Sequence, residues 1–204
     1  MLYSMSSNRA AKTRVAILDS ARTLFEEHGY FAVGLEAVAS RAGISRQAIY
    51  LHFESKADLL RALHERVNAQ DVAPAFEKVW AAETAEGALD AWISATAEAV
   101  PKFIGIANTL NAARRSDPDV EATWQAPAAG RYADCLRLAA RLKQEKKLAP
   151  RMTAADAADI LWCQTSICAY ESLVVDRAWP VARWVRWQGR TLRELLFADP
   201  ATPE

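Results

Sequence analysis

Residues 35–56 read LEAVASRAGISRQAIYLHFESK, and this stretch decides the fold. Ala37, Ala39 and Ala42 keep a first short helix small, so that a partner helix can cross it closely. Gly43 supplies a tight turn, Ile44 an apolar anchor inside it, and Ser45 a cap for the next helix. Val38, Ile44 and Ile49 then form the small core of a helix-turn-helix pair. The spacing leaves Arg46, Gln47, Tyr50 and Leu51 on the outward side of the second helix, the side such a pair inserts into the major groove. Arginine can grip guanine through a bidentate fork and glutamine can do the same for adenine.

Outward from this core the chain continues in helical periodicity, with no strand-like alternation. Upstream, residues 12–28 form a helix with Val15, Leu18, Ala21, Leu24 and Phe25 on its buried side, ended by Gly29. The pair itself spans 35–42 and 46–52. Ser55 caps a long fourth helix, with Asp58 placed to close a capping box and Pro74 placed to kink or divide the helix before Trp80. Further helices are expected over 84–100, 101–114, 117–148, 153–176 and 180–197. Pro127 and Gly130 are possible breaks in the third of these, Thr153 and Asp156 form another capping-box pattern, and Pro180 suits a first turn. Residues 199–204 read as a frayed tail. The expected fold is all-α: a three-helix domain over 1–56 that carries the helix-turn-helix, and a larger helical domain over 57–204.

Composition sets outer bounds. The 204 residues carry no formal net charge, so the molecule as a whole makes no general claim on nucleic acid or acidic membrane. The first 66 residues hold nine basic against seven acidic side chains, a small excess that decides nothing alone. Cys135, Cys163 and Cys168 include no CxxC pair, which suggests neither a disulfide framework nor a zinc site, and a reducing compartment suits them. The opening MLYSMSSNRA lacks the apolar core of a signal peptide, and uncharged runs such as 160–170 are far short of a membrane span. A cytoplasmic protein without membrane, metal or cofactor partners is expected. An enzyme is disfavoured. Cys163 or Cys168 as nucleophile has no histidine in the second half of the chain to activate it, and no HExxH, GxSxG or phosphate loop occurs. His28 and His64 read as structural or solvated.

Over roughly residues 13–60 the sequence resembles the TetR family of transcriptional repressors. The blocks LFEEHGY, AVASRAGIS, AIYLHF and ESKADLL follow one another in the family's order and spacing. The resemblance implies that Arg46, Gln47 and Ala48 face base edges, that Tyr50 and His52 meet the DNA backbone, and that Lys56 lies beside a phosphate. Ser45, Leu51 and Gly34 complete the candidate set. Many relatives carry a hydroxyl pair at the start of the second helix; here Val33 and Gly34 stand there, so that phosphate contact would rest on backbone N–H groups. The implied partners are a double-stranded operator, a small effector and a second copy of the chain.

The C-terminal part carries its own argument for pairing. On the 153–176 helix, Ala157, Ile160, Leu161, Gln164, Ile167, Cys168, Val174 and Val175 form one stripe, while Trp162, Ala169 and Leu173 occupy another side. A helix apolar on two faces needs two burial surfaces, and the 180–197 helix is patterned likewise, so a homodimer through both as a four-helix bundle is expected. Five of the seven tryptophans fall between the DNA-binding part and the last helix. Trp92, Phe103, Trp124 and Tyr132 are the candidate lining of a cavity for an apolar or aromatic effector, with Asn108 and Gln164 as polar fixers. The alternative is a DNA-binding activator or architectural protein that takes no ligand.

Overall fold

The computed structural model describes the backbone of residues 2–197 and the side chains from residue 9. The tail expected at 199–204 lies outside the described residues. Among the described residues ten α-helices run in the order α1 (Leu2–His28), α2 (Leu35–Arg41), α3 (Arg46–Tyr50), α4 (Lys56–Val67), α5 (Ala73–Ala81), α6 (Ala85–Ala113), α7 (Pro118–Gln144), α8 (Ala154–Gln164), α9 (Ile167–Tyr170) and α10 (Val181–Leu196). Among the described residues no strand occurs; a single antiparallel bridge joins Leu148 to Phe197.

The chain gathers into two compact units. One comprises Met1–Asn68 and Gly105–Gln125, the other Ala69–Ile104 and Ala126–Glu204. In the first, α1 packs on α2 and α4, and α2 on α3. Ile17, Leu18, Ala21 and Phe25 of α1 are buried there, as are Val38, Ile49, Phe53, Leu59, Leu60 and Leu63. Val15, expected inside, is exposed. At 3.6 residues per turn it lies about 120° round the helix from the centre of the buried face, and Ile17 takes the inward place. Ile44 is only half-buried in the turn. In the second unit the core forms around Trp92, Ile93, Leu138, Leu142, Leu161, Trp184 and Leu192.

Caps act as the sequence suggests. The Thr153 hydroxyl accepts from the Asp156 N–H while the Asp156 carboxylate accepts from the Thr153 N–H, a complete capping box. At α4 only half of the box forms: the Ser55 hydroxyl accepts from the Asp58 N–H at 3.0 Å, but the Asp58 carboxylate reaches the Glu54 N–H. Pro74 stands in the first turn of α5, and the chain between α4 and α5 widens into a π turn over Asn68–Val72. A proline without an N–H leaves a carbonyl of the preceding turn without its partner, and a widened turn accommodates that loss.

Three expected helices differ. The pair 84–100 and 101–114 is one helix, α6, with Pro101 inside it. Interior proline costs roughly 3 kcal/mol, and the burial of Ala97, Ala99, Val100, Ile106, Ala107 and Leu110 on either side outweighs that cost. Pro127 does not break α7, which runs unbroken to Gln144. The expected helix 153–176 is divided instead. It ends at Gln164, Ser166 caps α9 through a bond to the Ala169 N–H, and the last residues, Glu171–Val175, form a second π turn. The cause is tertiary. The Thr165 hydroxyl is claimed by the Trp92 indole at 3.0 Å and by Arg131 at 3.0 Å, which holds the chain in a non-helical conformation there.

Candidate nucleic-acid interface

Gly43 adopts φ +67°, a left-handed conformation that only glycine takes without strain, and this sets the turn between α2 and α3. The Ser45 hydroxyl then accepts from the Ala48 N–H at 3.1 Å and opens α3. With Ile49 fully buried, the phase of α3 is fixed, and Arg46, Gln47 and Tyr50 face outward with Leu51 beyond them. Leu51 is 82% exposed, a large cost for an apolar side chain in water unless a partner covers it. Ala48 and His52 are half-buried on the flank. Gly34 precedes α2 in an extended conformation, exposed and with no side chain to cap the helix.

Two neighbours unforeseen in the sequence hold this surface in place. The Glu36 carboxylate pairs with the Arg46 guanidinium at 2.9 Å, joining α2 to the start of α3. Arg14 of α1 lies over the Phe53 ring at 4.4 Å and donates to the His52 carbonyl at 3.2 Å, pinning the far end of α3. Arg14 sits in the first helix at a spacing that carries no local signal for either contact.

Lys56 is held more firmly than a solvated lysine. Its ammonium donates to the Tyr30 carbonyl at 2.8 Å and lies over the Tyr30 ring at 4.1 Å, and burial lowers its pKa. The Tyr30 hydroxyl in turn donates to the Asp117 carboxylate at 2.9 Å. Burial first, and then this bond, raise the pKa of Tyr30, so the phenol stays protonated. Asp117 also receives the N–H groups of Asp119 and Val120 and so caps α7. Close by, Gly105 of α6 lies so near Glu26 that an added Cβ would stand 2.8 Å from its carboxylate. A lysine with one proton on a carbonyl and its ring face covered keeps two N–H bonds to offer outward.

The remaining candidates are divided between the two units. Asn108, exposed on α6, and Trp124, with Arg114 over its ring at 5.0 Å, belong to the same unit as α3. Trp92, Phe103, Tyr132 and Gln164 belong to the other. There Trp92 is core, with Phe76 and Trp80 edge-on to it, and Tyr132 donates to Asp159 at 2.8 Å and meets Trp162 edge-on. Among the described residues no group of acidic, histidine or cysteine side chains is arranged to hold a metal, and no helix is long and apolar enough to cross a membrane.

Residues 17–63 match the family model for bacterial regulatory proteins of the tetR family. The HTH-type transcriptional repressor Rv1474c of Mycobacterium tuberculosis is 30% identical over 174 residues, which is 84% of this chain and 83% of that protein. With other relatives the likeness is confined to one part: the chain spans about a quarter of the length of the regulator AcrR of Shigella flexneri, at 40% identity over 60 residues. Two solved structures share the fold. NalD, the secondary repressor of the MexAB-OprM multidrug efflux pump in Pseudomonas aeruginosa, superposes with a TM-score of 0.74 at 24% identity, covering 94% of this chain and 99% of that one. SmeT in complex with triclosan gives 0.72 at 22% identity, covering 95% and 98%.

Proposed function

The chain belongs to the TetR family of DNA-binding transcriptional regulators, and from that premise we propose that it is a ligand-responsive repressor that binds a pseudo-palindromic operator as a homodimer. The observation that carries the proposal is the outward face of α3, where Arg46, Gln47, Tyr50 and Leu51 stand exposed on a helix whose phase the buried Ile49 fixes. Arg46, Gln47 and Ala48 read bases; Tyr50, His52, Lys56 and the backbone at Gly34 hold phosphates; Ser45 caps the reading helix, and Leu51 supplies apolar contact to a base or sugar.

DNA binding is assigned to 1–56, and effector binding and dimerisation to 57–204. Support for pairing comes from apolar side chains left uncovered near the C-terminal end: Val175 is 56%, Val181 40% and Leu195 43% exposed, while Trp184, Leu192 and Leu196 face the unit's own core. A second copy packed through the segments at 153–176 and 180–197 would cover them. Support for an effector comes from SmeT, which shares the fold and carries triclosan. Of the aromatic and polar candidates, Trp92, Phe103, Tyr132 and Gln164 share the second unit and are the proposed surroundings of an apolar or aromatic effector.

Such a switch operates only if the effector binds one state of the dimer better than the other. A coupling of ~1–3 kcal/mol weakens operator binding roughly 5- to 150-fold. The test is a titration of aromatic and apolar compounds by tryptophan fluorescence, with and without operator duplex. An inducer binds the DNA complex more weakly by the same factor with which it weakens DNA binding. A compound that binds and leaves operator affinity unchanged is no inducer; if no compound of a broad set binds, the regulator that takes no ligand is the correct reading.

A further inference from the structure

A guanidinium taken out of water needs an opposite charge nearby, and Arg131 of α7 has none among the described residues. It is partly buried in the second unit, and desolvation lowers its pKa. Its partners are neutral. One terminal nitrogen donates to the Thr165 carbonyl at 2.8 Å and hydroxyl at 3.0 Å, and both reach the Trp162 carbonyl at 3.4 Å. The cation lies over the Trp162 ring at 4.6 Å. Its Nε donates to no described residue, and no Asp or Glu pairs with it.

The surroundings carry further unmet polar groups. The carbonyl of Gln164, between the two that Arg131 binds, accepts from the Gln188 amide N–H. The Gln188 amide oxygen and the Trp184 indole N–H are both buried and without a partner. Buried polar atoms are almost always bonded, so these two unmet atoms, one of them on the side chain that reaches Gln164, call for an explanation. Capping of α8 by the guanidinium explains only part of it. A helix end presents about half an elementary charge, against the full charge of an arginine.

We infer that Arg131, at the break between α8 and α9, is the anchor for the carboxylate of an aromatic or aliphatic monocarboxylic acid. This rests on the reading that the second unit binds an effector, and it names that effector's class. A carboxylate matches the planar fork and balances a single positive charge. A dianionic phosphate calls for more cations than this one. Trp162, only partly buried and edge-on to Tyr132, offers aromatic surface for the acid's apolar body. Nη2 keeps its hold on Thr165 while Nε and Nη1 turn to the acid, so binding would also bear on the Thr165 break.

The experiment compares benzoate, naphthoate and straight-chain fatty acids, each against its primary amide, by tryptophan fluorescence and thermal shift on the full chain. Acids are expected to bind about tenfold or more tightly than their amides. Arg131→Gln is expected to reduce each acid to the affinity of its amide and to leave the amides unchanged. Should Arg131→Gln not fold by circular dichroism, Arg131→Lys decides: it keeps the charge but loses the fork, so the preference for acids shrinks. Acids and amides binding alike, or an acid preference that persists undiminished in the variant, overturns the inference. If neutral compounds bind and weaken operator affinity while acids show no advantage, the effector reading stands and the carboxylate falls. If no member of either series binds, both fall.

Discussion

Arg46 and Lys56 are both cations on the proposed DNA face, yet their surroundings divide their work. Arg46 stands exposed on the first turn of α3, paired with the likewise exposed Glu36, a weak surface pair that its fork can leave for a base edge. Lys56 is fixed against Tyr30, which suits a point charge on phosphate and not the reading of sequence. Arg46→Ala is therefore expected to cost on the order of 1–3 kcal/mol at one operator position and to relax the preference there. Lys56→Ala should weaken binding to all duplexes alike and lower the dependence of log K on log salt by about one unit. Fluorescence anisotropy on operator and random duplexes over a salt series separates the two. Identical behaviour of both variants on both duplexes would show that α3 is not the reading helix.

At the scale of elements, one glycine and one histidine make the dependence of local structure on environment measurable. No atom lies within 4 Å of a Cβ added at Gly43, so Gly43→Ala meets only the cost of the left-handed conformation, roughly 1–2 kcal/mol. Urea unfolding reads this directly, and an unchanged midpoint would contradict the turn geometry. His64 of α4 is buried, and desolvation lowers its pKa below the unfolded value of about 6.5. Below that pH the unfolded chain binds the proton more readily, so the stability is complete above about pH 6.5 and is lost as pH falls through the folded pKa. The urea midpoint should decline as pH falls below about 6.5, and His64→Gln should flatten the decline; an equal slope in the variant would assign it to other groups.

These elements also show what was legible in the sequence. Gly43, Ser45, Ser55 and Thr153 act through bonds within four residues of themselves, and local pattern suffices for such contacts. The continuity of α6 through Pro101 and the break at Thr165 depend on packing partners far along the chain, Trp92 and Arg131 among them. The same holds for the bond between Tyr30 and Asp117, 87 residues apart. Ser166 carried a usable capping signal, concealed within an apolar run that continued the helical period on both sides. The separation of Asn108 and Trp124 from Trp92 and Tyr132 into different units has no counterpart in sequence spacing.

For the whole molecule, two reading helices must act together. A single α3 of five residues contacts too few base pairs to define an operator, whereas a two-fold dimer doubles the contacts and imposes symmetry on the DNA. The uncovered Val175, Val181 and Leu195 give the chain apolar surface with which to pair. The central claim is tested most directly by selecting duplexes from a random-sequence pool with the full-length protein and sequencing those retained. The account predicts an inverted repeat whose half-site centres lie about 34–36 Å or slightly more apart, with one conserved base pair in each half lost when the selection is repeated with Arg46→Ala. Enrichment of an unrepeated site, or no enrichment over random duplex, would contradict it.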